Sequence, residues 1–276
     1  MKNRGGYQER FSLSGKNAIV TGAVGILGRH FCEGLAESGA NVAVVDLDHD
    51  TCADFANELA EKYGIKSIGI SCDITVEGSV AGMVKQVASD LGDIDVLHNN
   101  VGGKSTDFKK YFTAFEDYEL DQWRESMAIN LDGVFLVDKH VGKKMLMQKK
   151  TASIIHTASI YGVVAPDQRI YENSEYLGHA INTPAPYAVS KAGIIGLTKF
   201  LATYWASSGI RVNCISPGGA QSGQNQEFQD RYAARVPLNR MAYPDEMVNA
   251  LLYLASDASS YVTGQNIVID GGLSVW

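Results

Sequence analysis

The chain has 276 residues, 45% hydrophobic and 20% charged, with 28 glycines and a net charge of −7. That acidic balance argues against a nucleic-acid or anionic-membrane partner, and no apolar run approaches the roughly 18 residues of a membrane span. Cys32, Cys52, Cys72 and Cys214 stand singly, and the six histidines keep no ligand spacing, so reduced thiols in a cytoplasmic protein without a metal site are expected.

Residues 1–12 read as a flexible N-terminal tail ahead of one domain spanning 13–276. Asn17 to Thr21 reads as a short buried strand running into the glycine turn Gly22-Ala23-Val24-Gly25-Ile26-Leu27-Gly28. Leu27, Phe31 and Leu35 then share one face of a helix that Gly39 is placed to end. Val42 to Asp46 is a second buried strand, closing on an acid. Strand, glycine turn, helix, strand and acid follow one another in the order of a dinucleotide-binding unit. Glycines keep side chains off the turn so that backbone can approach a pyrophosphate, and the helix N-terminus supplies N–H groups and a positive dipole end. Asp46, 18 residues past Gly28, can accept hydrogen bonds from both ribose hydroxyls and repels a 2′-phosphate. The expected cofactor is therefore NAD rather than NADP.

Ile65 to Ser71 is the third strand, closed by Asp73, and Val80, Val84, Val87 and Leu91 mark the next helix. Asp95 to His98 is a fourth strand that empties into Asn99-Asn100-Val101-Gly102. Trp123 to Lys149 reads as one long helix carrying Asn130 near its middle, and Ser153 to Ser159 as the fifth strand, with His156 a core histidine. After the breakers Thr183-Pro184-Ala185-Pro186, a helix places Tyr187 and Lys191 on one face. An ammonium beside a phenol favours the phenolate, so Tyr187 is expected to have a lowered pKa and to serve as proton donor and acceptor. Arg211 to Ile215 is the sixth strand, Gly223 to Arg235 a polar stretch expected to act as a mobile lid, and Asn266 to Ile269 the last strand. The unbroken alternation predicts an α/β fold: a single Rossmann-like doubly wound domain, with about seven parallel strands flanked by helices on both faces. Ligands in such sheets sit beyond the carboxyl ends of the strands, where Gly22, Asp46, Asp73, Asn99 and Ser159 all fall.

From about Leu13 to Gly272 these motifs resemble the short-chain dehydrogenase/reductase family. The likeness is carried by the glycine turn, Asp46, Asp73 before Ile74, Asn99 to Gly102, Asn130 in Asn-Leu-Asp-Gly-Val-Phe, Ser159, Tyr187 with Lys191, and Pro217-Gly218. It implies an NAD(H)-dependent oxidoreductase interconverting a secondary alcohol and a ketone, with Asn130, Ser159, Tyr187 and Lys191 as the catalytic set. In that scheme Ser159 hydrogen-bonds the substrate oxygen, Tyr187 passes the proton, Lys191 holds the nicotinamide ribose, and Asn130 holds a water linking Lys191 to solvent. The implied cofactor contacts are Gly22, Val24, Gly25, Ile26, Leu27, Asp46, Asp73, Ile74, Asn99, Val101, Gly102, Tyr187, Lys191, Pro217, Gly218 and Ser222. The resemblance also implies a small-molecule substrate and a homo-oligomer, dimer or tetramer. The glycines at 22, 25 and 28 depart from the spacing of the short branch and are similar to the branch acting on nucleotide-sugars. That departure keeps open an NAD-using epimerase or dehydratase; a third reading is a non-catalytic NAD-binding protein.

Ser159 and Tyr187 stand 28 residues apart, about twice the family's usual spacing. The segment between them, near 163–186, carries Arg169 and Tyr171, and a second loop near 103–121 carries Lys104. Together with a third loop near 219–240, these are expected to form a polar pocket for a hydroxylated substrate, neutral or anionic, such as a sugar derivative; the alternative is that their charges only solvate long surface loops. Ile160 to Pro166 and Tyr171-Glu172 look similar to members of bacterial surface-sugar pathways of the flagellin-modification type.

Overall fold

The computed structural model describes residues 6–103, 107–176 and 178–276. Short β-branched runs form the strands β1 (Asn17–Thr21), β2 (Asn41–Asp46), β3 (Ser67–Ser71), β4 (Val96–Asn99) and β5 (Ala152–Thr157). A small hairpin, β6 (Glu175–Tyr176) and β7 (His179–Ala180), precedes β8 (Ile210–Pro217) and β9 (Asn266–Ile269). The helices are α1 (Ile26–Glu37), α2 (His49–Tyr63), α3 (Glu77–Asp90), α4 (Phe108–Tyr111), α5 (Leu120–Met127), α6 (Gly133–Gln148), α7 (Ala185–Tyr204), α8 (Gln226–Ala233) and α9 (Val248–Ala255).

Seven strands form one parallel sheet in the order β3-β2-β1-β4-β5-β8-β9. Strand order reverses between β1 and β4, so a crevice opens beyond their carboxyl ends. Successive residues of a strand face opposite sides of the sheet, and β1 shows it. Ala18 and Val20 enter a core with Phe31, Leu35 and Leu251, while Ile19 enters another with Val84, Val141 and Leu201. Strands buried on both faces read as continuous apolar runs, which is why β1, β2 and β5 were legible.

Three expectations need correction. The long helix is broken: Ala128–Asp132 forms a π turn between α5 and α6, with the Gly133 N–H on the Ala128 carbonyl. A one-residue widening of this kind leaves no mark on apolar periodicity. The stretch from Gly223 to Arg235 is more than a polar lid, because α8 within it buries Phe228 and Tyr232. Those two pack with Ile160, Ile170, Val236, Met241 and Leu273. The segment between Ser159 and Tyr187 also has its own structure, since the β6–β7 hairpin forms a bridge from Tyr176 to Gln224.

Candidate active site

The turn after β1 is shaped by what glycine leaves out. Gly22 has φ +63, and a Cβ there would lie 3.2 Å from the Val101 Cα. At Gly28 a Cβ would overlap the Gly22 carbonyl oxygen and come within 2.8 Å of Ala23, so α1 can cross β1 only without a side chain there. Gly25 is less confined, 3.4 Å from the Gly22 carbonyl oxygen. It caps α1 with no side-chain hydrogen bond, which leaves the first-turn N–H groups open to an anion. Asp46 stands at the tip of β2, its Oδ2 accepting from Val24 N at 3.1 Å and its Oδ1 from Leu47 N at 2.9 Å. Ile26 is 47% exposed, so the bulky residue that follows Gly25 turns outward instead of filling the turn. A turn whose close approaches at 22 and 28 admit no side chain, an uncapped helix start and an acid latched beside them fit a dinucleotide.

The floor beneath this turn is polar and buried. Thr21 Oγ1 donates to Asn99 Oδ1 at 3.0 Å, and Asn99 Nδ2 donates to Val134 O and Asp138 Oδ1. Asn99 therefore shapes the site from behind, as a tie between β1, β4 and α6. The sequence reading missed Asn100, whose Nδ2 donates to Gly22 O at 3.2 Å while its Oδ1 accepts from Thr157 Oγ1 at 2.9 Å. Asp73 lies at the end of β3, its Oδ1 accepting from Thr75 N and Oγ1. The Ile74 side chain is buried against the Gly133 position of α6, so only its backbone remains for a cofactor. On the far side, Gly218 N donates to Ile269 O at 2.8 Å, Pro217 is buried, and Ser222 exchanges hydrogen bonds with Gln224.

Three of the four expected catalytic side chains converge at the end of β5. Ser159 Oγ accepts from Tyr161 N at 3.1 Å and its hydroxyl acts on the Tyr187 phenol, favouring the phenolate, while Lys191, 2% exposed, donates its ammonium to the Thr157 carbonyl at 2.9 Å. The same Nζ lies 3.4 Å from where a Gly102 Cβ would be, which joins the lysine to the strand end that follows β4. Asn130 is fully buried in the π turn, its Nδ2 donating to Ser126 O at 3.0 Å and Gly103 O at 3.1 Å, and its Oδ1 without a partner among the described residues.

The expected lowering of the Tyr187 pKa by Lys191 is not what this geometry produces. Burial pushes the phenol above its ordinary value, with the Ser159 hydrogen bond opposing and Tyr171 adding to the rise. The lysine is 5.9 Å from the ring centroid and already donates to Thr157. Burial lowers Lys191 itself to about 8.

A wall of hydroxyls faces this group. Tyr171 donates to Tyr161 Oη at 3.1 Å and pairs with Thr183 Oγ1 at 2.5 Å. Tyr232, missed from the sequence, accepts at its hydroxyl from Gly219 N, and its ring occupies the space a Gly219 side chain would fill. Arg169 is not brought to this wall: its guanidinium grips Asp167 and its side chain is 87% exposed. Lys104 lies outside the described residues.

A family profile described as enoyl-(acyl carrier protein) reductase matches residues 22–274. The chain is 34% identical over 270 residues to a D-threitol dehydrogenase of Mycolicibacterium smegmatis, covering 96% of this chain and 95% of that protein. Among solved structures, a gluconate 5-dehydrogenase from Burkholderia cenocepacia in complex with NADP and tartrate superposes with a TM-score of 0.84. It is 30% identical and covers 97% of this chain and 98% of that one. An NAD+-bound xylitol dehydrogenase gives a TM-score of 0.81 at 31% identity, over 94% and 99% of the two chains.

Proposed function

The chain belongs to the short-chain dehydrogenase/reductase family and is an oxidoreductase acting on CH–OH groups; from that premise we propose that it interconverts a secondary alcohol and a ketone on a small polar substrate, using NAD(H) and the Ser159–Tyr187–Lys191 group. The observation that carries this reading is the buried Lys191, whose ammonium is held on Thr157 O at 2.9 Å at the strand end where Ser159 acts on the Tyr187 phenol. Two hydroxyls meeting there are what a substrate oxygen needs in order to be held and to exchange a proton.

Gly22, Val24 to Leu27, Asp46, Asp73, Ile74, Asn99, Val101, Gly102, Tyr187, Lys191, Pro217, Gly218 and Ser222 would hold the dinucleotide. Bound there, the nicotinamide supplies or removes the hydride. The rest falls to the chain's own residues. Ser159 Oγ fixes the substrate oxygen, and the Tyr187 hydroxyl gives up or takes its proton. Lys191 keeps a positive charge below them, fixed by Thr157 O, and Asn130 offers its unpartnered Oδ1 to a water that joins the lysine to solvent. The carboxylate of Asp46, beside Val24 N, supports NAD over NADP, since a 2′-phosphate would meet a fixed negative charge.

The relatives named for threitol, xylitol and gluconate make acyclic polyols and their acids the first substrates to try. The likeness of Ile160 to Pro166 to surface-sugar pathway members keeps a sugar derivative among them. The glycine spacing favours a second reading, an NAD-using epimerase or dehydratase, which would retain its cofactor through turnover. Exposed Phe200 and Tyr204 on α7 and Phe135 on α6 support a homo-oligomer built on these helices. Four free, buried cysteines support a cytoplasmic setting. Incubating the protein with NAD and a panel of polyols while recording NADH absorbance tests the reading; released NADH supports the dehydrogenase, and product without it supports the epimerase.

A further inference from the structure

Asp167 is a single carboxylate between two guanidiniums. Arg169 takes both of its oxygens, Nε to Oδ1 at 2.8 Å and Nη2 to Oδ2 at 2.7 Å. Arg235 reaches the same carboxylate only at 3.6 Å, from Nε to Oδ2. One negative charge against two positive ones leaves the trio with an uncompensated cation. Arg169 is 87% exposed and Arg235 33%, so the inner, less compensated charge is Arg235's. Its Nη1 is buried and has no hydrogen-bond partner among the described residues. A buried donor left unpaired is costly, so this position is built for an acceptor that the described residues do not provide.

Arg235 adjoins the hydroxyl wall: its chain neighbour Val236 packs in one cluster with Tyr232, against which Tyr161 and Tyr171 also pack. The Arg235 charge acts on Tyr161, Tyr171 and Tyr232, opposing the rise that burial gives each phenol. Tyr161 follows Ser159 by two residues, and Tyr171 is the phenol whose field reaches Tyr187. One residue before Thr183, the partner of Tyr171, Asn182 donates through Nδ2 to Phe112 O at 2.8 Å and keeps a buried Oδ1 without a partner among the described residues. One residual positive charge with a single unpaired guanidinium nitrogen suits a monoanionic carboxylate better than a dianionic phosphate, which asks for more donors.

We propose that Arg235 is the specificity-determining residue of this site and that the substrate is a hydroxylated carboxylate of the aldonic-acid type, its carboxylate on Arg235 and its carbinol carbon at Ser159 and Tyr187. The assignment rests on the oxidoreductase reading above and narrows it.

The test compares two matched pairs, D-threonate with D-threitol and D-gluconate with sorbitol, each pair differing by a carboxylate in place of CH2OH. Full-length protein with NAD is assayed for NADH, and aldonate binding to the NAD-loaded protein is measured by calorimetry. Wild type is expected to favour the aldonates, and Arg235→Gln to lower the aldonate-to-alditol ratio of kcat/KM about ten-fold or more, with the same loss in binding. Arg235→Lys should recover part of it. Asp167→Asn, which removes the competing carboxylate, should move the ratio the other way and keeps the idea testable if Arg235→Gln fails to fold. Turnover of the alditols with a ratio that none of these variants moves overturns the Arg235 assignment and leaves alcohol oxidation standing. Neither turnover nor binding of any of the four compounds overturns the assignment, and product formed from other alcohols then decides the oxidoreductase reading separately.

Discussion

Lys191 gives its ammonium to the backbone carbonyl of Thr157 at 2.9 Å, while the Thr157 hydroxyl donates to Asn100 Oδ1 at 2.9 Å. One residue at the end of β5 thus ties the helix bearing the proposed catalytic pair, Tyr187 and Lys191, to the strand end that closes on the glycine turn. Ser159 follows two residues later. The spacing between the proposed proton-handling groups and the glycine turn is set by rigid sheet backbone rather than by loops.

Burying Lys191 costs the fold stability. Its pKa falls from 10.5 to about 8 in the folded protein, so between those values the unfolded chain binds more protons and stability rises with pH. Below pH 8 both states are charged and the folded state carries the full cost of burial, about 3 kcal/mol. Lys191→Met should therefore be more stable than wild type at pH 7, with the gap closing between pH 8 and 10.5, while turnover is lost. Thermal melts across that range check it; a gap that does not change with pH contradicts it.

The glycines of the turn are not equivalent. Gly28→Ala drives a methyl into the Gly22 carbonyl and should cost roughly 1–3 kcal/mol, read as a lower urea midpoint. Gly25→Ala, with 3.4 Å to the same oxygen, should fall within about 0.5 kcal/mol of wild type. Equal losses at both positions would show that the turn, rather than the helix crossing, sets the limit.

Asp46→Asn removes the charge at the tip of β2 while keeping an oxygen toward Val24 N. The ratio of kcat/KM for NADP over NAD should rise about ten-fold, because repulsion of the 2′-phosphate is lost. An unchanged ratio from initial rates with both cofactors would mean that another residue chooses between them.

Asp138 and His156 are buried together, with Oδ2 and Nε2 2.9 Å apart and neither atom having another partner among the described residues. Asp138→Ala strips the pair and one acceptor from Asn99, and should destabilise by roughly 3–5 kcal/mol. A chemical-denaturation curve that moves by less than about 0.5 kcal/mol would show that the pair contributes little.

Much of this architecture was legible because it follows from short-range rules. The buried runs 17–21 and 42–46 could be read as strands, and the expected site residues lie at strand ends because parallel sheets put them there. What stayed hidden depends on partners distant in sequence. His156 reads as an ordinary core residue until Asp138 is brought against it. Arg169, adjacent to the expected pocket, is captured by Asp167, and the inner cation is Arg235, in a stretch that reads as a solvated lid. The π turn at Asn130 and the phenol wall around Tyr171 depend on packing between segments that share no local signal. The Tyr187 proton affinity was misread for a related reason. A four-residue spacing reports that two side chains share a helix face, but not how deeply either is buried.

The most direct test of the central claim is the Tyr187→Phe variant, which removes one oxygen and nothing else. Its NAD affinity should stay within about three-fold of wild type, while turnover of whichever alcohol the wild type oxidises falls by about 10²-fold or more. A variant that still produced NADH at close to the wild-type rate would contradict a proton-transfer role for the Tyr187 phenol.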